Sequence, residues 1–397
     1  MPKPFDPAVH HLTLLEQVDL GPRDCISPGE YYLDDVTGGH LIAFSGSGQM
    51  TPLVEKRPFD PEKDWNGKSI LFMRLGGFGD LILLTPVLRE LNRRWPNLKI
   101  AVCTMGHYAV ALHGLPYVSQ IVRYPCSKQI AETFDAWVWL ENAIERNPAA
   151  RTKHMTDLYA SIAGLPEDFD NKLPDYRVSG NEEIWSKEAY PRTPGLPRVV
   201  IQVGTSSVAR TYHRNAMGMV VKQLLNKSWE IYLIGGRNPN GTPEVEVPFL
   251  PGLKNLCLAD LSFRQSAAVV DQCDAFIGSD SAFLHVAGAL GVPAVGLYGP
   301  FPWQLRTAYC PTTVALQGTG PCAPCFHHAI ANKQNDFPVN CPSAHKGFCE
   351  VLAGITPDKI VHKIEKIARG TKTVTTEPVE EEAKVVKFET DKPNVDS

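Results

Sequence analysis

The stretch Arg74-Leu75-Gly76-Gly77-Phe78-Gly79-Asp80 joins an apolar run, Ser69-Ile70-Leu71-Phe72-Met73, to a helix-like segment through three glycines that end in a carboxylate. Glycine tolerates positive φ and lets backbone approach a ligand, and a following helix offers unpaired N–H groups to anionic oxygens. Asp80 does not suit that use, because a carboxylate repels phosphate. It suits work on a neutral group, such as taking a hydroxyl proton. The same residues also suit a tight βα turn with Asp80 as the helix N-cap. A second strand-to-helix junction, Gly278-Ser279-Asp280-Ser281-Ala282, leads into a helix that carries His285. Taken alone, that histidine is more commonly a packed, satisfied side chain than a ligand.

Cys322, Cys325, Cys341 and Cys349 form a third group, on a long, turn-rich stretch. Thiolates at a CxxC spacing can occupy two corners of a tetrahedron, and the second pair can close it around a structural metal such as zinc. The final spacing departs from an ordinary zinc ribbon, and His327, His328 or His345 can replace a ligand. Reduced or disulfide-forming thiols are the alternative. With four protein ligands no open position remains, so the expected role is structural or in partner binding.

The elements that must position these groups repeat strand and helix. Ser69–Leu75 reads as a strand, Leu81–Trp95 as a helix with Leu84, Val87, Leu88 and Leu91 at helical spacing, and Leu98–Cys103, Ile121–Tyr124 and Ala136–Leu140 as further strands. His154–Gly164 reads as a helix. Such alternation predicts a parallel sheet with helices on both faces. Residues 166–197, rich in Asp, Asn, Pro and Gly, separate this block from a second one. There Arg198–Gly204, Glu230–Ile234, Ala275–Gly278 and Ala294–Tyr298 read as strands ending in small or polar residues, and Ala282–Leu290 as a helix.

The expected domains are a β-rich appendage over residues 1–60, with short extended pieces such as Tyr31–Leu33 and His40–Phe44, and a Rossmann-like domain over 61–180. A second Rossmann-like domain spans 181–355 with a cysteine finger at 318–350. A final helix over 356–370 is capped by Thr356 and stopped by Gly370, and the tail 371–397 is expected to be disordered. Length and a 43% hydrophobic content agree with more than one core. A formal charge of −4 advertises no nucleic-acid surface. Met1–Pro7 has no apolar signal core and no run reaches membrane-spanning length, so a soluble cytoplasmic protein is expected, with peripheral contact at the inner membrane left open. Six of the ten cysteines are scattered in apolar company and read as buried thiols.

Ile70–Asp80 with Thr85-Pro86 and Leu88 behind it, and Gly278–Pro293 followed by Gly296-Leu297-Tyr298-Gly299-Pro300, occur in order and with α/β blocks around them. In this the chain resembles glycosyltransferase family 9, the heptosyltransferases that use ADP-heptose, over roughly residues 68–369. The resemblance implies a GT-B fold, α/β with two facing Rossmann-like domains and an interdomain cleft, and an inverting sugar transfer that needs no metal for catalysis. It makes Asp80 the base and Gly76, Gly77 and Gly79 the acceptor-side loop that frees space in the cleft. Gly204, Thr205, Arg210, Gly235, Gly236, Asp280, Ser281, Ala282 and His285 become the donor side, with Asp280 turned away from the phosphates. It also implies a last helix that packs back across the first domain, and a cysteine arrangement shared with members that hold iron.

Three positions depart from the family pattern. Arg210 stands where a lysine is usual, Ala282 where a glycine is usual, and Arg237-Asn238 follow Gly235-Gly236 in place of an acidic residue. Arginine keeps the charge but is not a neutral exchange for lysine. The expected partners are a nucleotide-sugar donor and a glycan acceptor such as a lipopolysaccharide core. A protein hydroxyl as acceptor and a non-catalytic nucleotide-sugar binding module are the competing readings.

Overall fold

The computed structural model describes residues 9–21, 24–45, 48–52, 57–236, 252–326, 341, 343 and 348–370. The tail 371–397, Arg237-Asn238, and His327, His328 and His345 lie outside these residues. Strand β1 (Val9–Leu14) buries Val9, Leu12 and Leu14, and a hairpin of β2 (Val18–Gly21) and β3 (Asp24–Ile26) follows. Next come β4 (Gly29–Asp34), helix α1 (Asp35–Ser45) and β5 (Gly48–Pro52). The expected extended piece at His40–Phe44 is therefore helical. Asp34 nucleates that helix by accepting the Thr37 N–H at 3.1 Å and the Thr37 hydroxyl at 2.6 Å, and such a cap overrides a weak alternating pattern.

Strand β6 (Ser69–Met73), helix α2 (Phe78–Arg94), β7 (Lys99–Thr104), β8 (Gln120–Arg123), β9 (Cys126–Ser127), helix α3 (Lys128–Ala131), β10 (Ala136–Trp139) and helix α4 (Met155–Ile162) come next. Four of these strands form a parallel sheet in the order β10-β6-β7-β8. Because its strands are apolar throughout, the sheet needs cover on both faces. On one face Ile70, Phe72, Ile100, Val102 and Val138 pack against α2 and α4. On the other, Leu71, Met73, Ala101, Cys103, Trp137 and Trp139 pack against Val9, Leu12, Leu14 and Leu33. An antiparallel sheet, β5-β1-β4-β9, thus takes the place expected of a second helical layer. The β-rich N-terminal residues thus form a covering layer of this core.

Pro86 lies inside α2 and has no N–H for the Ile82 carbonyl. The Thr85 hydroxyl donates to that oxygen at 2.7 Å in its place, which gives the Thr85-Pro86 pair a local reason.

Helix α5 (Gly180–Ala189) opens with a capping box, the Ser179 hydroxyl accepting the Glu182 N–H and Glu182 returning to Ser179. Beyond it lie β11 (Arg198–Gln202), helix α6 (Arg214–Asn226), β12 (Glu230–Ile234), β13 (Leu253–Asn255), helix α7 (Phe263–Asp271), β14 (Ala275–Ser279), helix α8 (Ala282–Ala289), β15 (Ala294–Tyr298) and β16 (Thr313–Gln317). Their strands form a six-stranded parallel sheet, β13-β12-β11-β14-β15-β16. Helices α9 (Glu350–Ala353) and α10 (Pro357–Gly370) follow. Ile360, Val361 and Ile364 of α10 pack beside Val199, Ile231 and Val295. The last helix therefore completes the second core; it does not cross to the first, because its apolar face meets α6 and the strands already beside it.

The two halves meet where α2 packs on α8, and the first core runs on into Ala267 of α7 and Val286 of α8. Phe78 stacks on Phe263 at 4.0 Å and 3°, and Phe263 on Phe283 at 4.7 Å. Arg264 adds a polar clasp, donating to the Val110 carbonyl at 3.0 Å and the Arg177 carbonyl at 2.9 Å. At this point the expected cleft is filled by packed side chains.

Candidate active site

Both motif turns lie where their sheets reverse strand order. Strand β6 has β7 on one side and β10 on the other, and the break in the second sheet falls between β11 and β14. Such switch points at carboxyl strand ends are where open α/β sheets bind ligands.

On the first-sheet side, Arg74 at the end of β6 is buried. Its Nη2 donates to Asp80 Oδ2 at 2.5 Å and to Glu145 Oε1 at 2.7 Å, and its Nη1 to the Leu140 carbonyl at 3.2 Å. Burial works against its charge, but Asp80, Tyr159, Glu145 and Glu141 together hold it protonated. Asp80 sits in the first turn of α2, whose N-cap is Gly77, so the N-cap reading of Asp80 does not hold. Tyr159 is buried beside Arg74 and Asp80, and its hydroxyl has no hydrogen-bond partner among the described residues.

Each glycine of the turn lies close against a protein neighbour. A Cβ at Gly76 would lie 2.1 Å from the Tyr108 ring, and one at Gly79 would lie 3.0 Å from His285 of the other half. Gly77 has φ +90°, and a Cβ there would stand 2.4 Å from Asp80 Oδ2. Gly77→Ala is expected to cost about 1–3 kcal/mol of stability through backbone strain and to lower turnover by more than that alone explains, by displacing Asp80. Urea midpoints and kcat check this, and a native rate would show that the turn yields without moving Asp80.

On the second-sheet side, Asp280 is buried among Arg210, His285 and Arg306, whose side-chain nitrogens lie 3.8–3.9 Å from its carboxylate. Arg210 Nη1 also donates to the Asp280 carbonyl at 2.9 Å, and its Nη2 to Ser206 Oγ at 3.0 Å. Ser281 is the N-cap of α8 but makes no capping bond; its hydroxyl donates to Gln202, which in turn donates to the Gly204 carbonyl at 2.9 Å. The Leu284 and His285 N–H groups reach the Ser281 carbonyl, which among the described residues leaves those of Ala282 and Phe283 for another acceptor. Thr205 braces its own loop, accepting from Ser207 at 3.1 Å. Gly235 packs against Val203 and Cys257, while Gly236 is exposed. Ala282 lies against Gly79.

His285 and His154 are both held neutral. Burial pushes His285 down to about 4 and His154 to about 3 from an ordinary 6.5. Below pH 6.5 an unfolded chain takes up protons that the native imidazoles refuse, so their contribution is full above 6.5 and is lost towards pH 4. His285→Asn is expected to remove about 3 kcal/mol of that acid-side loss, read from unfolding midpoints at several pH values. An acid limb identical to the native one would assign the loss elsewhere.

The cysteines are not assembled into the expected four-thiolate site. Among the described residues no group of three or more metal-ligating side chains converges. Cys322, Cys325 and Cys349 are near enough to feel one another's charge, but Cys349 packs partly against the second core and Cys325 is exposed.

Sequence reasoning brings Asp80, Arg210, Asp280, Ser281, Ala282 and His285 to one place. It does not find Glu141, Glu145, Tyr108, His154, Tyr159, Gln202 or Arg306, which arrive from separate segments without a spacing that marks them. Arg74 stands in the quoted motif without a role.

Two parallel sheets, joined where α2 packs on α8, give an α/β fold like that of the solved heptosyltransferase structure described below. The sequence model of glycosyltransferase family 9 (heptosyltransferase) matches residues 120–335, and the chain belongs to that family. This match contains Arg210 and the Gly278–Pro293 motif; the Gly76–Asp80 turn precedes it. Lipopolysaccharide heptosyltransferase 1 of Pseudomonas aeruginosa is 29% identical over 189 residues, 47% of this chain and 48% of that protein. The chain thus spans about half the length of the curated relative it matches. ADP-heptose lipopolysaccharide heptosyltransferase II of Escherichia coli is similar in fold, with a TM-score of 0.57 at 16% identity, over 77% of this chain and 100% of that one. The iron-containing dodecameric glycosyltransferase TibC of enterotoxigenic E. coli gives 0.58 at 14% identity over 92% and 93%. Among the described residues no helix is long and apolar enough to cross a membrane.

Proposed function

We propose that this chain transfers a sugar from a nucleotide donor to an acceptor hydroxyl with inversion, and that the sugar is a heptose carried on ADP. The observation that carries this is the meeting of Arg74–Asp80 with Asp280–His285 across the contact of α2 and α8. Asp80 takes the hydroxyl proton as the oxygen attacks the anomeric carbon, and Arg74 holds that carboxylate in place. Arg210 and the open N-terminus of α8 receive the charge that develops on the departing diphosphate. Asp280 orients Arg210 and His285 and stays off the phosphates. In this reading residues 61–180 serve the acceptor and 181–355 the donor, and metal is not part of the chemical step.

Supply of ADP-heptose, UDP-glucose and GDP-mannose separately, with candidate acceptors and product followed by mass, tests the reading. Transfer from ADP-heptose is expected. Failure of every donor to raise the melting temperature overturns the donor assignment.

The acceptor in the leading reading is a lipopolysaccharide core or similar glycan. A protein hydroxyl is the second reading, in which the N-terminal sheet layer, integral to the first core, helps to dock the partner; the fold likeness to TibC takes in 92% of this chain. Parallel assays with a truncated core glycan and with serine-rich surface polypeptides decide between them.

A further inference from the structure

Behind the Arg74–Asp80 pair lies a carboxylate that the reaction above does not use. Glu141, just after β10, is buried. It accepts the Leu75 N–H at the point where β6 enters the glycine turn. Around it stand Arg74 from the end of β6, Glu145 from its own turn, Asp34 from the N-terminal layer, Cys103 from β7 and Tyr124 from just beyond β8. The Arg74 guanidinium is already shared by Asp80 and Glu145. A third full negative charge beside it would be only partly compensated, and Glu141 is the most enclosed of the three, since the Asp80 and Glu145 side chains are 27% and 36% exposed.

We propose that Glu141 is a positioning residue that sets how firmly Arg74 holds Asp80, so that the charge of Glu141 tunes the transfer step. This rests on the reading of Asp80 as base. Burial pushes Glu141 up to about 7, against the pull of Arg74 and the Leu75 N–H and with the help of Asp34 and Glu145. It therefore changes charge near neutral pH, whereas an ordinary glutamate is ionised there. With Glu141 protonated, Arg74 serves two carboxylates. Once Glu141 ionises, the guanidinium faces three, its grip on Asp80 loosens, and Asp80 is freer to accept the acceptor proton. The N-terminal layer enters through Asp34, which accepts the Tyr124 hydroxyl at 3.1 Å and adds its field to that of Glu141.

The test is kcat against pH for the native enzyme, Glu141→Gln and Asp34→Asn, together with carboxyl-carbon NMR of protein labelled at glutamate and aspartate. Glutamine keeps an acceptor for the Leu75 N–H but cannot ionise. The native kcat is expected to rise about three- to tenfold through pH 7. Glu141→Gln is expected to stay at the lower plateau with donor KM unchanged, and Asp34→Asn to move the inflection to lower pH. In the spectra, the Asp80 signal, assigned with Asp80→Asn, is expected to follow the Glu141 titration and to lose that inflection in Glu141→Gln. A native-like inflection in Glu141→Gln, in rate or in spectrum, overturns the proposal. If no form transfers sugar, the function reading falls, while the spectra still decide whether Glu141 acts on Asp80.

Discussion

Asp80→Asn is expected to lower kcat by about 10²–10⁴-fold while leaving donor binding within a few-fold of native. Asparagine has nearly the same shape, and its carbonyl still accepts from Arg74, so the 2.5 Å contact and the first turn of α2 are kept. Only the capacity to take a proton is removed. The donor should still protect against thermal unfolding, because Arg210, Ser281 and His285 are untouched. Measured kcat and the melting shift with ADP-heptose check this. A variant that turns over at the native rate would remove Asp80 from the mechanism, and one that also loses donor protection would assign Asp80 to binding.

Arg74→Met is expected to cost both stability and rate. Loss of the guanidinium leaves Asp80 and Glu145 facing each other without their shared cation, and breaking a buried pair from one side costs about 3–5 kcal/mol. Both carboxylates reach some water, so the lower end, about 3 kcal/mol, is expected. The rate should fall because Asp80 loses its orientation, and the loss should not add to that of Asp80→Asn, since both act on one group. The double variant then turns over like Asp80→Asn alone while keeping part of the stability deficit, because Glu145 still lacks its cation. Additive rate losses would mean that Arg74 acts on the substrate independently.

Much of the second sheet is legible because its strands are continuous apolar runs that stop at small residues: Glu230–Ile234 and Ala294–Tyr298 have the bounds expected of them. Helix α5 is different. The Ser179-x-x-Glu182 signature is present, but the surrounding Pro, Asn and Asp outweigh it in a composition reading. The covering role of the N-terminal sheet cannot be read from period alone, because a strand buried on both faces does not say whether helices or strands lie above it. The site divides in the same way. Asp80 and the Asp280–His285 stretch are marked by local spacing. Glu141 meets Leu75 across sixty-six residues, and Arg306 reaches Asp280 from the turn after β15, so only the tertiary fold places them.

The sheet that covers Trp137 and Trp139 has a bearing on how the chain is made. Strands β1, β4 and β5 leave the ribosome before the surface they lie on, and the last strand of their sheet, Cys126–Ser127, is synthesised long after its partner Tyr31–Tyr32. Until then an apolar strand face and an open edge stand exposed on the nascent chain, an aggregation risk that only later synthesis relieves. A fragment lacking residues 1–56 would carry the converse burden, two tryptophans and a bare parallel sheet facing water.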